Sequence, residues 1–135
     1  MNIVSRARRA ISDAWPGIMT FALCFTVACS RERKPSPDHF IENGDAARGS
    51  ETIQAYGCGS CHSIPGIRGA DGTVGPPLDH WAERKIIAGE VPNDPARLIT
   101  WLTVPQSIEP GTAMPNMGVT DGQARDIATY LYTLH

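Results

Sequence analysis

The chain lacks what a large, basic or sheet-built protein would need. Its 135 residues leave room for one domain. No basic run follows Lys34, and 12 Lys and Arg against 14 Asp and Glu give a net charge of −2 with pI near 6.0, which argues against nucleic-acid binding as the main function. No alternating strand pattern and no internal repeat occurs, so neither a sandwich nor a solenoid is expected. The longest apolar run, Ile18 to Ala28, is eleven residues, whereas a membrane-spanning helix needs about 20. Cysteine is scarce too. Of Cys24, Cys29, Cys58 and Cys61, the first lies in that apolar run and the second ends it, so no spare pair remains for a disulfide.

What is present is Cys58-Gly59-Ser60-Cys61-His62. C-x-x-C-H is the spacing that attaches a c-type haem: two thiols three positions apart add to the two vinyl groups of one porphyrin, and the adjacent imidazole is the proximal iron ligand. Other readings of two such cysteines are a thioredoxin-like redox pair, half of a zinc site, or a structural disulfide. The first needs a βαβ context and the second another C-x-x-C or a His pair, and the chain has neither.

Residues 1–29 read as an export signal, with Arg6, Arg8 and Arg9 ahead of the apolar run. Thr26-Val27-Ala28-Cys29 is similar to a bacterial lipoprotein box, with Thr26 in place of the usual leucine. Two outcomes follow: lipidation at Cys29, or ordinary cleavage near Ala28 that leaves a soluble protein. Loss of residues 1–28 would remove Arg6, Arg8, Arg9 and Asp13, leaving 9 basic and 13 acidic side chains, net −4; such a surface suits a basic partner. Residues 30–43, charged and proline-containing with no apolar period, read as a flexible tether, and residues 44–135 as the folded domain.

In that domain Ala46, Gly49, Ile53 and Tyr56 recur at helical spacing, predicting a helix from about Asp45 to Tyr56. Glycine costs a helix interior up to about 1 kcal/mol relative to alanine, so Gly49 points to a close neighbour. Ser63 to Pro77 is glycine-rich and aperiodic, a loop able to wrap one edge of a flat cofactor. Leu78 to Glu90 predicts a short helix or turn. Asn93-Asp94-Pro95 starts a helix that should end before Pro105. Thr120 and Gln123 form a capping-box signature for a final helix burying Ala124, Ile127, Leu131 and Leu134.

A haem iron with one histidine has an open sixth position, for which Met114, Met117, His39, His80 and His135 are candidates, as is no residue at all. A methionine in a proline-flanked loop fits best, because its soft thioether suits low-spin iron and raises the potential relative to a second imidazole. Pro115 restricts Met114 to extended backbone, which can hold its side chain out from a rigid loop.

Order and spacing of these segments make the chain resemble a monohaem class I cytochrome c. The resemblance rests on Gly44-Asp45 with Gly49, the haem motif, Gly75-Pro76-Pro77-Leu78, Leu98-Ile99-Thr100-Trp101-Leu102, Pro110-Gly111-Thr112-Ala113-Met114 and Ala128-Thr129-Tyr130-Leu131. It implies an all-α fold of three to five helices around one haem c held through Cys58 and Cys61. It selects Met114, four positions before Gly118, to pair with His62 on the iron. It also implies that the Pro76 carbonyl orients His62, that Arg84 and Thr112 serve the haem propionate side, that Trp101 packs on the haem, and that Gly49 meets Tyr130. Between Arg84 and Pro95 the chain departs from the family pattern, offering Asn93 where some relatives have a propionate-binding aromatic. The resemblance implies single-electron transfer between redox-protein donor and acceptor of a bacterial respiratory chain, in the periplasm and without catalysis by the domain itself. A second reading is a haem subunit of a terminal oxidase or periplasmic dehydrogenase. A peroxidase or gas sensor would need Met114 absent or displaceable, and a thiol oxidoreductase would need free Cys58 and Cys61.

Overall fold

Three capping signals set where the helices begin. A computed structural model describes residues 37–135, so the export signal and Cys29 lie outside the described residues. Asp45 accepts the backbone N–H of Arg48 and opens α1, Ala46–Ala55. Asp94 accepts that of Arg97, with Pro95 at the first helical position of α2, Pro95–Thr103. Thr120 and Gln123 bond reciprocally, the Thr120 N–H donating to Gln123 Oε1 at 3.0 Å, and open α3, Asp121–Leu131. Each cap satisfies amide groups that a helix start leaves unpaired, and Pro105 cannot continue α2.

Between these helices lie single turns of 3-10 helix at Cys58–Ser60, Trp81–Glu83 and Pro105–Ser107. One expectation is corrected here: Ile86–Ile87 and Val91–Pro92 pair as a two-residue antiparallel hairpin, β1 and β2, where no strand was expected. Two residues per strand are too few to leave a period-2 signal. The turn uses positive φ at Ala88 (54°) and Gly89 (74°), which suits the twist of a tight hairpin. The fold nonetheless remains all-α, with no helix among the described residues long and apolar enough to cross a membrane.

Helices α1 and α3 form the main joint. Gly49 is there for space: a Cβ on it would lie 2.1 Å from the Asp126 carbonyl oxygen and 3.0 Å from Tyr130 Cβ. The tightest approach is therefore to the α3 backbone, with Tyr130 beside it. Asp126, 8% exposed, closes the joint. Its carboxylate accepts from Arg48 Nε (2.9 Å) and Nη2 (2.7 Å) and from the Asp45 N–H (2.8 Å). The Arg48 guanidinium is the chief cause holding the Asp126 carboxyl below its usual range.

The final stripe differs from expectation at its end. Ala124, Ile127 and Leu131 are buried, but α3 stops at Leu131, so Leu134 is only half-buried and its carbonyl accepts the Ala82 N–H. Tyr132 takes the interior position instead, 0% exposed, its hydroxyl donating to Asn93 Oδ1 at 2.9 Å. Residues 37–43, assigned from composition to the tether, pack on this end of the domain. His39 stacks on Tyr132 with centroids 4.0 Å apart, and Ile41 is buried, while Phe40 stays exposed.

Candidate functional site

Many of the buried apolar side chains do not close on one another. Ile53, Ile64, Trp81, Leu98, Ile127 and Leu131 belong to the core and also line a crevice of about 670 Å³. That volume lies within the range of about 300–1,000 Å³ for small-molecule sites. All eight predicted site residues, Cys58, Cys61, His62, Pro76, Arg84, Trp101, Thr112 and Met114, lie on its wall.

The cysteine side is set by the end of α1. Gly57, at φ 68°, reverses the chain, and one 3-10 turn follows in which the N–H groups of Cys61 and His62 both donate to the Cys58 carbonyl, at 3.2 and 3.0 Å. This coil brings two thiols and an imidazole to one crevice. The Ser63–Pro77 loop is stitched to it by Gly72 N–H to the Gly59 carbonyl (3.0 Å), Gly75 N–H to the Cys61 carbonyl (2.8 Å) and Leu78 N–H to the Ser63 carbonyl (2.8 Å). Tyr130 holds the outer part of the loop, its hydroxyl donating to the Pro65 carbonyl at 2.6 Å.

His62 Nδ1 lies 2.7 Å from the Pro76 carbonyl oxygen. A carbonyl only accepts, so Nδ1 carries the proton and Nε2 keeps its lone pair for a metal. Burial raises the Cys58 thiol above its ordinary value. Among the described residues no three His, Cys, Asp or Glu side chains converge as a metal cluster, so the donor set does not make a zinc tetrahedron.

The other candidate ligands separate cleanly. Met114 and Met117 both line the crevice, whereas His39, His80 and His135 do not. Met114 is half-buried and braced twice: its N–H donates to Thr112 Oγ1 (3.1 Å) and its carbonyl accepts from Gln106 Nε2 (2.9 Å). Met117 is 41% exposed. Trp101 is half-buried on the same wall. The Arg84 guanidinium lies 4.9 Å from the Trp81 ring centroid and donates through Nη2 to the Pro77 and Asp79 carbonyls.

Two contributors to the crevice, Trp81 and Glu109, were not expected from the sequence. Trp81 is a crevice wall, 5% exposed. Asn93 is wholly occupied as a strut, its Nδ2 donating to the carbonyls of Trp81 (3.0 Å) and Arg84 (3.1 Å), and it is not on the crevice wall. Glu109 lines the crevice with no local signal to announce it. Beside the motif's own histidine and cysteines, only Arg84 and Glu109 bring ionisable side chains to this wall among the described residues. An apolar crevice with two thiols and an imidazole whose Nε2 is free fits a covalently attached haem.

The cytochrome c family model matches residues 46–135, two thirds of the chain. The protein belongs to the cytochrome c family. Its cofactor is one haem c, bound covalently through Cys58 and Cys61. The chain is 34% identical over 70 residues to cytochrome c oxidase subunit 2 of Alkalihalophilus pseudofirmus, a match covering 52% of this chain and 20% of that protein. It therefore spans about a fifth of that relative's length. It is also similar to the crystal structure of cytochrome c2 from Rhodobacter sphaeroides, with TM-score 0.47 and 16% identity over 67% of this chain and 96% of that one.

Proposed function

We propose that His62 and Met114 would hold the haem iron and that the protein carries single electrons between a donor and an acceptor redox protein of a bacterial respiratory chain, in the periplasm. The observation that carries this reading is the ligand inventory of the crevice: one imidazole with a free Nε2, one braced and half-buried methionine, and no second histidine on the wall. When bound, the haem supplies a one-electron couple. The chain's own residues do the rest. Pro76 orients His62, Thr112 and Gln106 hold Met114, and Ile53, Leu98, Trp101 and Leu131 exclude water, each a lever on ligation or burial.

With both residues on the iron, no coordination position would be left for peroxide or dioxygen. Val74, Ile86 and Met117 are exposed apolar side chains on the same crevice, a surface suited to brief docking. Net negative charge steers a basic partner toward it, with an encounter rate that falls as salt rises. Export through residues 1–29, with a lipid on Cys29 and residues 30–36 as tether, would keep the domain near the membrane. The propionate roles of Arg84 and Thr112 and the packing of Trp101 on the haem belong to the same reading.

The likeness to an oxidase subunit 2 favours a second reading, a haem subunit of a terminal oxidase or periplasmic dehydrogenase. Purification of the matured protein from its native membranes separates the two. A carrier comes away alone at high salt with a reversible one-electron couple, whereas a stoichiometric complex that survives salt overturns the free-carrier reading. Mass spectrometry of the mature N-terminus tests the tether, which an unmodified Cys29 would remove.

A further inference from the structure

We infer that Gly75 is a positioning residue for His62, its missing side chain fixing the orientation of the imidazole; this rests on the reading of His62 as an iron ligand. A Cβ built on Gly75 would lie 2.3 Å from His62 Cε1, 2.7 Å from Nδ1 and 2.9 Å from Nε2. All three distances are below the 3.0 Å that real Cβ contacts essentially never breach. The bare backbone of Gly75 thus packs directly against the ring.

The requirement is for space and not for conformation, because Gly75 is absent from the residues with positive φ. Nor can the backbone retreat easily. The Gly75 N–H is held by the Cys61 carbonyl at 2.8 Å, and the next residue, Pro76, supplies the carbonyl that takes the Nδ1 proton at 2.7 Å. Ring and loop therefore lock each other: one contact fills a side of the imidazole and the adjacent carbonyl sets its rotation. A methyl group at this position must turn the ring or lift the loop, and either movement weakens the Nδ1–H bond to Pro76. That bond raises the basicity of the ligating nitrogen, so its loss makes the imidazole a poorer donor to ferric iron and the reduction potential rises.

The test uses matured holoprotein and compares Gly75→Ala with Gly122→Ala, a position where an added Cβ meets nothing within 4 Å. The readouts are the spread of haem methyl resonances in the ferric proton spectrum and the midpoint potential. Gly75→Ala should change the methyl spread and raise the potential, while Gly122→Ala leaves both unchanged. A Gly75→Ala protein that carries covalent haem with wild-type methyl spread and potential overturns the inference. Should that variant fail to mature, the ferrous wild-type protein decides: a nuclear Overhauser contact between the Gly75 α-protons and the His62 Cε1 proton supports the packing, and its absence overturns it. Failure of the underlying reading looks different. His62 ring protons without a large upfield ring-current shift in the ferrous protein would remove the ligand assignment and the inference with it.

Discussion

The side of the crevice that carries Cys58, Cys61 and His62 is stitched to its own loop by backbone hydrogen bonds from Gly72, Gly75 and Leu78, with the imidazole itself bonded to Pro76. The side that carries Met114 hangs chiefly from side chains, one hydroxyl at Thr112 and one amide at Gln106, and beyond it Pro115 to Gly118 is exposed with a single turn bond from the Gly118 N–H to Asn116 Oδ1. Moving His62 breaks main-chain structure. Moving Met114 costs two hydrogen bonds, each worth about 1 kcal/mol net. Ligand exchange should therefore belong to the methionine side, and the histidine side should fail only with the fold around it.

The sharpest break in that comparison is His62→Ala, which should abolish the low-spin spectrum while both thioether bonds persist, read by absorption and by mass. Next comes the joint between α1 and α3, which supports the whole crevice through Ile53 and Ile127. Gly49→Ala should cost about 3 kcal/mol in chemical denaturation, since its Cβ strikes main chain that cannot move aside, and exogenous ligand binding per folded molecule should stay the same.

Asp126→Asn should lower the stability to chemical denaturation by less than Gly49→Ala does, by removing a charge-assisted pair with Arg48. The pH dependence follows from the sign of the shift. Because the folded state holds this carboxyl below its ordinary value of 3.8, the stabilisation is complete above that value and is lost as pH falls through the lower folded value. Acid unfolding of the wild type should therefore show a stability loss beginning below about pH 4 that Asp126→Asn lacks. The smallest expected effect is also the most selective. Thr112→Val removes one bond to the Met114 N–H, and a loss of about 1 kcal/mol should let added imidazole displace the methionine roughly 5-fold more readily, with global stability little changed.

The parts legible from sequence were those whose signals are local. Asp94-Pro95 and Thr120 with Gln123 announce helix starts within four residues, and the haem pentapeptide places three of its groups on one coil by covalent spacing alone. Illegible features depend on residues distant in the chain. Arg48 meets Asp126 across 78 positions, and Asn93 ties Tyr132 to Trp81 through bonds no window could reveal. The hairpin at Ile86 and Pro92 is too short for a period. Residues 37–43 have the composition of a linker, yet Ile41 joins the core and His39 stacks on Tyr132 only once that surface exists.

Electron transfer by this domain depends on the pairing of His62 with Met114 in preference to Met117. The direct measurement is the ferric absorption spectrum of matured wild-type, Met114→Ala and Met117→Ala proteins, read at the weak long-wavelength charge-transfer band of methionine-ligated haem. In Met114→Ala the band should disappear, together with a fall in potential on the order of 0.2 V within the ~0.8 V that axial ligands span, and Met117→Ala should retain both. Loss of the band in Met117→Ala with its survival in Met114→Ala would contradict that pairing.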